Sequence, residues 1–168
     1  MTEKEFQTKL ANSGIILDDK MILKFRKYCD LIEKYNQVMD LTAVKGKENI
    51  YERHFYDSLT IAFQKDFNNL SLCDVGSGAG FPAIVLKIVF PNMKLTIIDS
   101  LNKRMEFLKK VVDELALSDV NIIVDRVEDV ARQEQEKYDI VTARAVARLN
   151  ILVELISQLI KINGTFIA

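Results

Sequence analysis

The stretch L-C-D-V-G-S-G-A-G-F-P, Leu72 to Pro82, decides the fold of this chain. Its apolar start, up to Val75, reads as a buried strand. Gly76, Gly78 and Gly80 then give a turn that can take positive φ and lacks the Cβ atoms that would keep a ligand away from the backbone. Pro82 suits a first helical turn, where its missing N–H would be unsatisfied anyway, and Ala83 to Phe90 continue as an apolar helical run stopped near Pro91. Strand, glycine turn and helix make half of a βαβ unit. The other half follows, for Lys94 to Ile98 reads as a strand and ends in Asp99, nineteen residues beyond Gly80. An acidic side chain there accepts hydrogen bonds from both hydroxyls of a ribose.

The glycine spacing separates two cofactor classes. A dinucleotide fingerprint wants Gly or Ala at position 81, so that a helix N-terminus faces a pyrophosphate, and Phe81 is bulky. Asp74, two residues before Gly76, is awkward beside pyrophosphate but can help to bind the amino group of a methionine moiety, directly or through water. The pattern favours S-adenosylmethionine over NAD. A lone glycine turn can be only a tight connection; the strand, glycines, helix and spaced Asp99 together mark a cofactor site.

Outward from this motif, strands are expected near residues 72–75, 94–98, 121–125, 138–142 and 165–168, alternating with helices. That is the signature of a parallel sheet with helices on both faces. Leu101, Met105, Leu108, Val112 and Leu115 form the core stripe of the clearest helix; Lys103, Arg104, Lys109 and Lys110 read as its solvated face. Another helix should span Leu149 to Ile160, with Asn163-Gly164 punctuating its end. Residues 1–70 have a different texture, helical and rich in Lys and Glu, with breaks near Gly14 and Gly46. Three helices are expected there, one lined by Ile22, Phe25, Cys29 and Ile32, the last from Glu48 to about Phe63. With no Pro/Ser-rich linker, this region should pack as a helical cap on a Rossmann-like domain of residues 71–168.

Composition sets further bounds. At 168 residues, nearly half of them hydrophobic, the chain has room for one substantial core. It lacks a membrane-length apolar run, and Met1 to Lys9 are polar and charged, so neither membrane insertion nor export is expected and the cytoplasm is. Cys29 and Cys73 sit among apolar neighbours, and a single histidine, His54, leaves no cluster with zinc spacing, so no metal is expected. A net charge of −1 argues against indiscriminate polyanion binding and leaves nucleic acid to a local basic face. His54, Asp57 and Ser58 stand at i, i+3 and i+4 on one helix face, either satisfied by neighbouring backbone or turned toward a ligand. Crowded onto one turn, they lack the converging geometry of a nucleophilic triad.

Six stretches resemble a known family: Y-N-Q-V-M-D-L-T-A-V at 35–44, R-H-F-Y-D-S-L at 53–59, D-V-G-S-G-A-G-F-P at 74–82, D-S-L-N-K-R at 99–104, R-V-E-D at 126–129 and T-A-R-A-V-A at 142–147. They are similar to the bacterial 16S ribosomal RNA guanine-N7 methyltransferase family RsmG, also called glucose-inhibited division protein B. The resemblance implies the class I S-adenosylmethionine-dependent methyltransferase fold and methylation of N7 of a guanine in the 530 loop of 16S rRNA, the nucleotide numbered 527. Carried over by position, Gly76 and Phe81 line the methionine and ribose side, Asp99 holds the ribose, Val127 and Glu128 meet the adenine, and Arg144 is the remaining cofactor-site arginine. Asp40 stands where the family is expected to have Asn.

The chemistry fits this family on separate grounds. T-A-R-A-V-A offers neither the N/D-P-P-Y/F arrangement of enzymes that methylate exocyclic amines nor the cysteine nucleophile of C5-pyrimidine enzymes. Guanine N7 already presents a lone pair, so its methylation needs no base and no covalent intermediate. Asn36, His54 and Asp57 are expected to position the guanine or the methionine end of the cofactor, with Arg144 and Arg148 on the RNA backbone. Family members run on past Thr165 to Ala168, so the C-terminal part of the sheet is expected to be missing, and an exposed fifth strand would be a sticky edge. A monomer acting on the small ribosomal subunit is expected. The alternatives are a class I methyltransferase with another substrate and a non-catalytic cofactor-binding, ribosome-associated module.

Overall fold

A computed structural model of the chain describes residues 1–144 and 149–168. Its centre is a five-stranded, all-parallel sheet: β1 (Ser71–Val75), β2 (Lys94–Asp99), β3 (Val120–Val124), β4 (Tyr138–Ala143) and β5 (Ile160–Ile167), in the order β3-β2-β1-β4-β5. The order reverses between β1 and β4, and this places the glycine turn after β1 at a switch point, where open parallel sheets bind ligands at the carboxyl ends of their strands.

Alternation along the strands feeds two cores. Leu72, Leu95, Ile97 and Ile140 join α5 (Ala83–Val89), α6 (Asn102–Glu114) and the N-terminal helices on one face. Cys73, Val75, Ile98, Val141 and Ala143 pack with α7 (Val127–Gln133) and α8 (Leu149–Leu159) on the other. All seven residues of α5 are buried, because the N-terminal helices cover the side that the sheet does not. Even Lys87 is enclosed, its ammonium donating to the carbonyls of Pro91 and Met93 at the helix end.

In the N-terminal region α1 (Glu3–Asn12) opens on a capping box between Thr2 and Glu5. α2 (Asp19–Met39) is capped by Asp18, buries Phe25, Tyr28, Cys29 and Ile32, and stops at Asp40, whose φ of 46° lies in the left-handed region. After glycine, Asn and Asp are the residues that best tolerate that conformation, which accounts for either at position 40. The following helix runs through α3 (Lys47–Ile50), a π-helical stretch Tyr51–Tyr56, α4 (Asp57–Leu59) and a tight turn Thr60–Ala62. Phe6, Phe25, Tyr51 and Phe55 make its aromatic core, with ring centroids 5.1–6.3 Å apart.

Two sequence expectations need correction. β5 begins at Ile160, not Thr165, so Asn163-Gly164 lie within the strand instead of ending the helix; the β4–β5 register shifts between Tyr138 and Ile140, and Asn163 takes positive φ. Leu101 is half exposed because it precedes α6 in an extended conformation, and Phe107 and Val111 fill the core in its place.

Candidate active site

The carboxyl ends of the strands open onto a cleft of two lobes that share Gly76 and Asp99. The first, about 420 Å³, is lined by the glycine turn together with Phe81, Thr42, His54, Arg104 and Arg144. The second, about 290 Å³, lies between Ser100 and the segment Asp125–Glu128. A larger hollow of about 530 Å³ sits at the opposite, amino-terminal ends of the strands between Asn69 and Lys161. It has no glycine turn and lies at the end of a parallel sheet that ligands avoid.

The glycines divide the labour. Gly78 has φ of +59°, lines the first lobe, and a Cβ there would meet nothing within 4 Å. Gly80 turns the other way: a Cβ would lie 2.6 Å from Tyr28 Oη and 2.7 Å from Ile84 Cγ1. Its role is close packing of the turn on α2 and α5, not contact with the cleft. Tyr28 Oη also donates to the Ala79 carbonyl at 2.6 Å, which ties α2 to the turn.

Asp99 ends β2 at the junction of the lobes. One carboxylate oxygen, Oδ1, accepts the Leu101 N–H at 3.0 Å, and the residue lines both lobes. Asp74 stands beneath the turn, 1% exposed. The strand register pairs it with Thr142, whose hydroxyl donates to Oδ1 at 2.6 Å, while Oδ2 and the Ser77 hydroxyl have no hydrogen-bond partner among the described residues. Burial pushes its carboxyl up to about 6, against the pull of the neighbouring hydroxyls and of the Arg144 guanidinium.

The expected cluster on the N-terminal helix is spread by its π-helical stretch. His54 stacks on Phe81, with centroids 4.2 Å apart and planes 10° from parallel, and its Nε2 lies 2.7 Å from Thr42 Oγ1. Burial, and then the Arg144 charge, hold its pKa below the ordinary histidine range. Asp57 pairs with Arg144 at 3.1 Å on the cleft rim, and Ser58 is buried, its hydroxyl unpartnered among the described residues. Asn36 does not reach the cleft; its amide is spent on the backbone of Thr42. Arg148 lies outside the described residues. Thr42 and Arg104 line the cleft without having been singled out in the sequence, Arg104 as a supposed solvated charge; the D-L-T and D-S-L-N-K-R stretches were their signal.

Among the described residues no group of three His, Cys, Asp or Glu side chains could hold a metal ion, and no helix is long and apolar enough to cross a membrane. Both cysteines are free and buried, with the Cys29 thiol pushed up to about 12 by burial.

Comparison with known proteins decides the family. The family described as GidB, rRNA small subunit methyltransferase G, matches residues 21–168. The chain belongs to the GidB family. Among GidB relatives, the ribosomal RNA small subunit methyltransferase G of Geobacillus kaustophilus is 48% identical over 171 residues, covering 100% of this chain and 72% of the relative. That of Bacillus cytotoxicus is 50% identical with the same coverage. In fold, this GidB chain is similar to a putative S-adenosylmethionine-dependent methyltransferase from Methanococcus maripaludis, with a TM-score of 0.61 at 16% identity over 84% of this chain and 61% of the other. A putative sarcosine dimethylglycine methyltransferase from Galdieria sulphuraria gives 0.62 at 13% identity, over 82% and 58%. The fold is that of class I methyltransferases.

Proposed function

We propose that this chain transfers the methyl group of S-adenosylmethionine to N7 of a guanine in 16S rRNA, position 527 in the 530 loop. The observation that carries the reading is the two-lobed cleft, with Asp99 at its junction, in a member of a family whose relatives are named for rRNA methylation.

The residues present fit the cofactor. The lobe between Ser100 and Glu128 suits the adenine, with Val127 on its wall. Asp99 Oδ2 can accept from the ribose hydroxyls. The open face of Gly78 admits the methionine chain against bare backbone, and Asp74, buried beneath the turn, can help to hold its ammonium, directly or through water. When bound, S-adenosylmethionine supplies an electrophilic methyl on a sulfonium.

The protein's part in the chemistry is positioning. Guanine N7 needs no proton removed, so none of the side chains has to act as a base. His54 and Phe81 give a flat wall beside the glycine turn, against which a planar ring can be aligned. Asp57 stands on the rim, where its carboxylate orients Arg144 and helps to offset the positive charge that develops on the purine. Arg144 is half exposed, suited to reach a phosphate as well as the cleft. Asn36 acts through Thr42.

The test is calorimetric binding of S-adenosylhomocysteine, with NAD as competitor, followed by transfer of labelled methyl to 30S subunits and naked 16S rRNA lacking the modification. Binding without displacement by NAD, and label in 16S rRNA, support the reading. Methylation of small molecules or protein with none in rRNA would refute it.

A further inference from the structure

Asn36, Thr42, His54 and Phe81 form a chain of contacts that ends on the cleft. The Asn36 amide clamps the backbone of Thr42: the Thr42 N–H donates to Oδ1 at 2.9 Å, and Nδ2 donates to the Thr42 carbonyl at 2.9 Å. This fixes the Thr42 hydroxyl. Its oxygen accepts the Val44 N–H at 3.1 Å and lies 2.7 Å from His54 Nε2. The hydroxyl has one proton to give, and among the described residues Nε2 is the acceptor recorded within reach of it. His54 in turn lies flat on Phe81.

We propose that Thr42 is a positioning residue that holds His54 as the neutral imidazole with its proton on Nδ1, so that the wall stacked on Phe81 carries no positive charge beside the cofactor's sulfonium. The proposal rests on the reading of the cleft as an S-adenosylmethionine site. The charged groups facing His54 make the need concrete. Arg144, after β4, and Arg104, on α6, line the same lobe, as does Asp99 at the end of β2; Asp57, on the histidine's own helix, is engaged with Arg144. An imidazolium would add a cation to a half-closed space that must accept another. S-adenosylhomocysteine has an uncharged sulfur and would not be repelled in this way.

His54 is the chain's single histidine, so a long-range ¹H–¹⁵N NMR spectrum reads its tautomer and titration without assignment. In the wild type the expected result is a protonated Nδ1 and bare Nε2 at neutral pH, titrating below the ordinary range. Thr42→Val removes the donor to the neutral form, so the ring should become a tautomer mixture and titrate higher than in the wild type, and Thr42→Ser should restore the wild-type spectrum. In Thr42→Val the ratio of S-adenosylmethionine to S-adenosylhomocysteine affinity should fall by up to about fourfold from about pH 8 to pH 6, the limit set by the neutral fraction of a ring titrating near the ordinary value, and in the wild type by less than about twofold. Both ligands carry the ammonium, so the ratio cancels the titration of Asp74. A wild-type ring protonated at Nε2, or a folded Thr42→Val with unchanged tautomer and titration, would overturn the proposal. A flat affinity ratio despite the altered tautomer would overturn its charge-exclusion half. The expected tautomer with binding of neither ligand would instead overturn the cofactor reading and leave the Thr42–His54 contact standing.

Discussion

Gly78 and Gly80 are two residues apart in one turn, both at positive φ, yet alanine at each should fail for a different reason. At Gly80, φ of +103° makes any side chain strained, by about 1–3 kcal/mol. The new Cβ also meets Tyr28 Oη at 2.6 Å, Ile84 Cγ1 at 2.7 Å and Leu108 Cδ2 at 3.0 Å, all in the core. Overpacking of that kind costs about 1–3 kcal/mol more. The total is about 2–6 kcal/mol, which in a chain of this size lowers Tm by roughly 5–20 °C. At Gly78, strain alone remains, about 1–2 kcal/mol, because nothing stands within 4 Å of the new methyl. That open space is the cleft itself, so the methyl should weaken S-adenosylhomocysteine binding by roughly 10- to 200-fold, the usual effect of one misplaced methyl in a fitted site. Thermal unfolding by circular dichroism and calorimetric titration, run on both variants, separate the two effects. A Gly78→Ala protein that binds with wild-type affinity, or a Gly80→Ala protein as stable as wild type, would refute the division of roles.

Asp99→Ala removes the ribose acceptor at the junction of the lobes and should cost about 2–4 kcal/mol of cofactor affinity, measured by calorimetry, with a smaller loss of stability from the freed Leu101 N–H. For Asp74 the pH dependence has a definite sign. Its folded carboxyl is raised to about 6, so between there and the ordinary value of about 3.9 the folded state holds the extra proton. Stability from this group is therefore greatest below that window and falls by about 2–4 kcal/mol as pH rises through it, a slope that denaturant melts should find flattened in Asp74→Asn. Arg144→Ala breaks an exposed ion pair with Asp57 and should change stability by less than about 1 kcal/mol in chemical denaturation, while weakening binding in the cleft.

The parts of the fold that rest on local pattern were legible in the sequence. Val75, Gly76, Gly78 and Asp99 declare strand, turn and acceptor within one βαβ unit, and Phe25, Cys29 and Ile32 mark a buried helix face by spacing alone. What was not legible depends on contacts between distant segments. Gly80 belongs to the same glycine run as Gly78, and only the approach of Tyr28 from α2 gives it a different task. Arg104 is one basic residue among several on α6, and its place in the cleft follows from where β2 delivers the first turn of that helix. Thr42 gains its role through the left-handed turn at Asp40 and the Asn36 clamp. Asn163-Gly164 looks like a helix stop, yet a register shift in the sheet absorbs it into β5.

Mapping the transferred methyl group distinguishes N7 methylation of 16S rRNA from every other outcome. Small-subunit RNA lacking the modification, incubated with the chain and labelled S-adenosylmethionine, is cleaved by chemistry specific for N7-methylguanine, and the break is located by primer extension. One break is expected, at a guanine of the 530 loop, lost in Gly78→Ala and Asp99→Ala. Label at a carbon or an exocyclic amine, or no label in RNA from a chain that binds the cofactor, would contradict it.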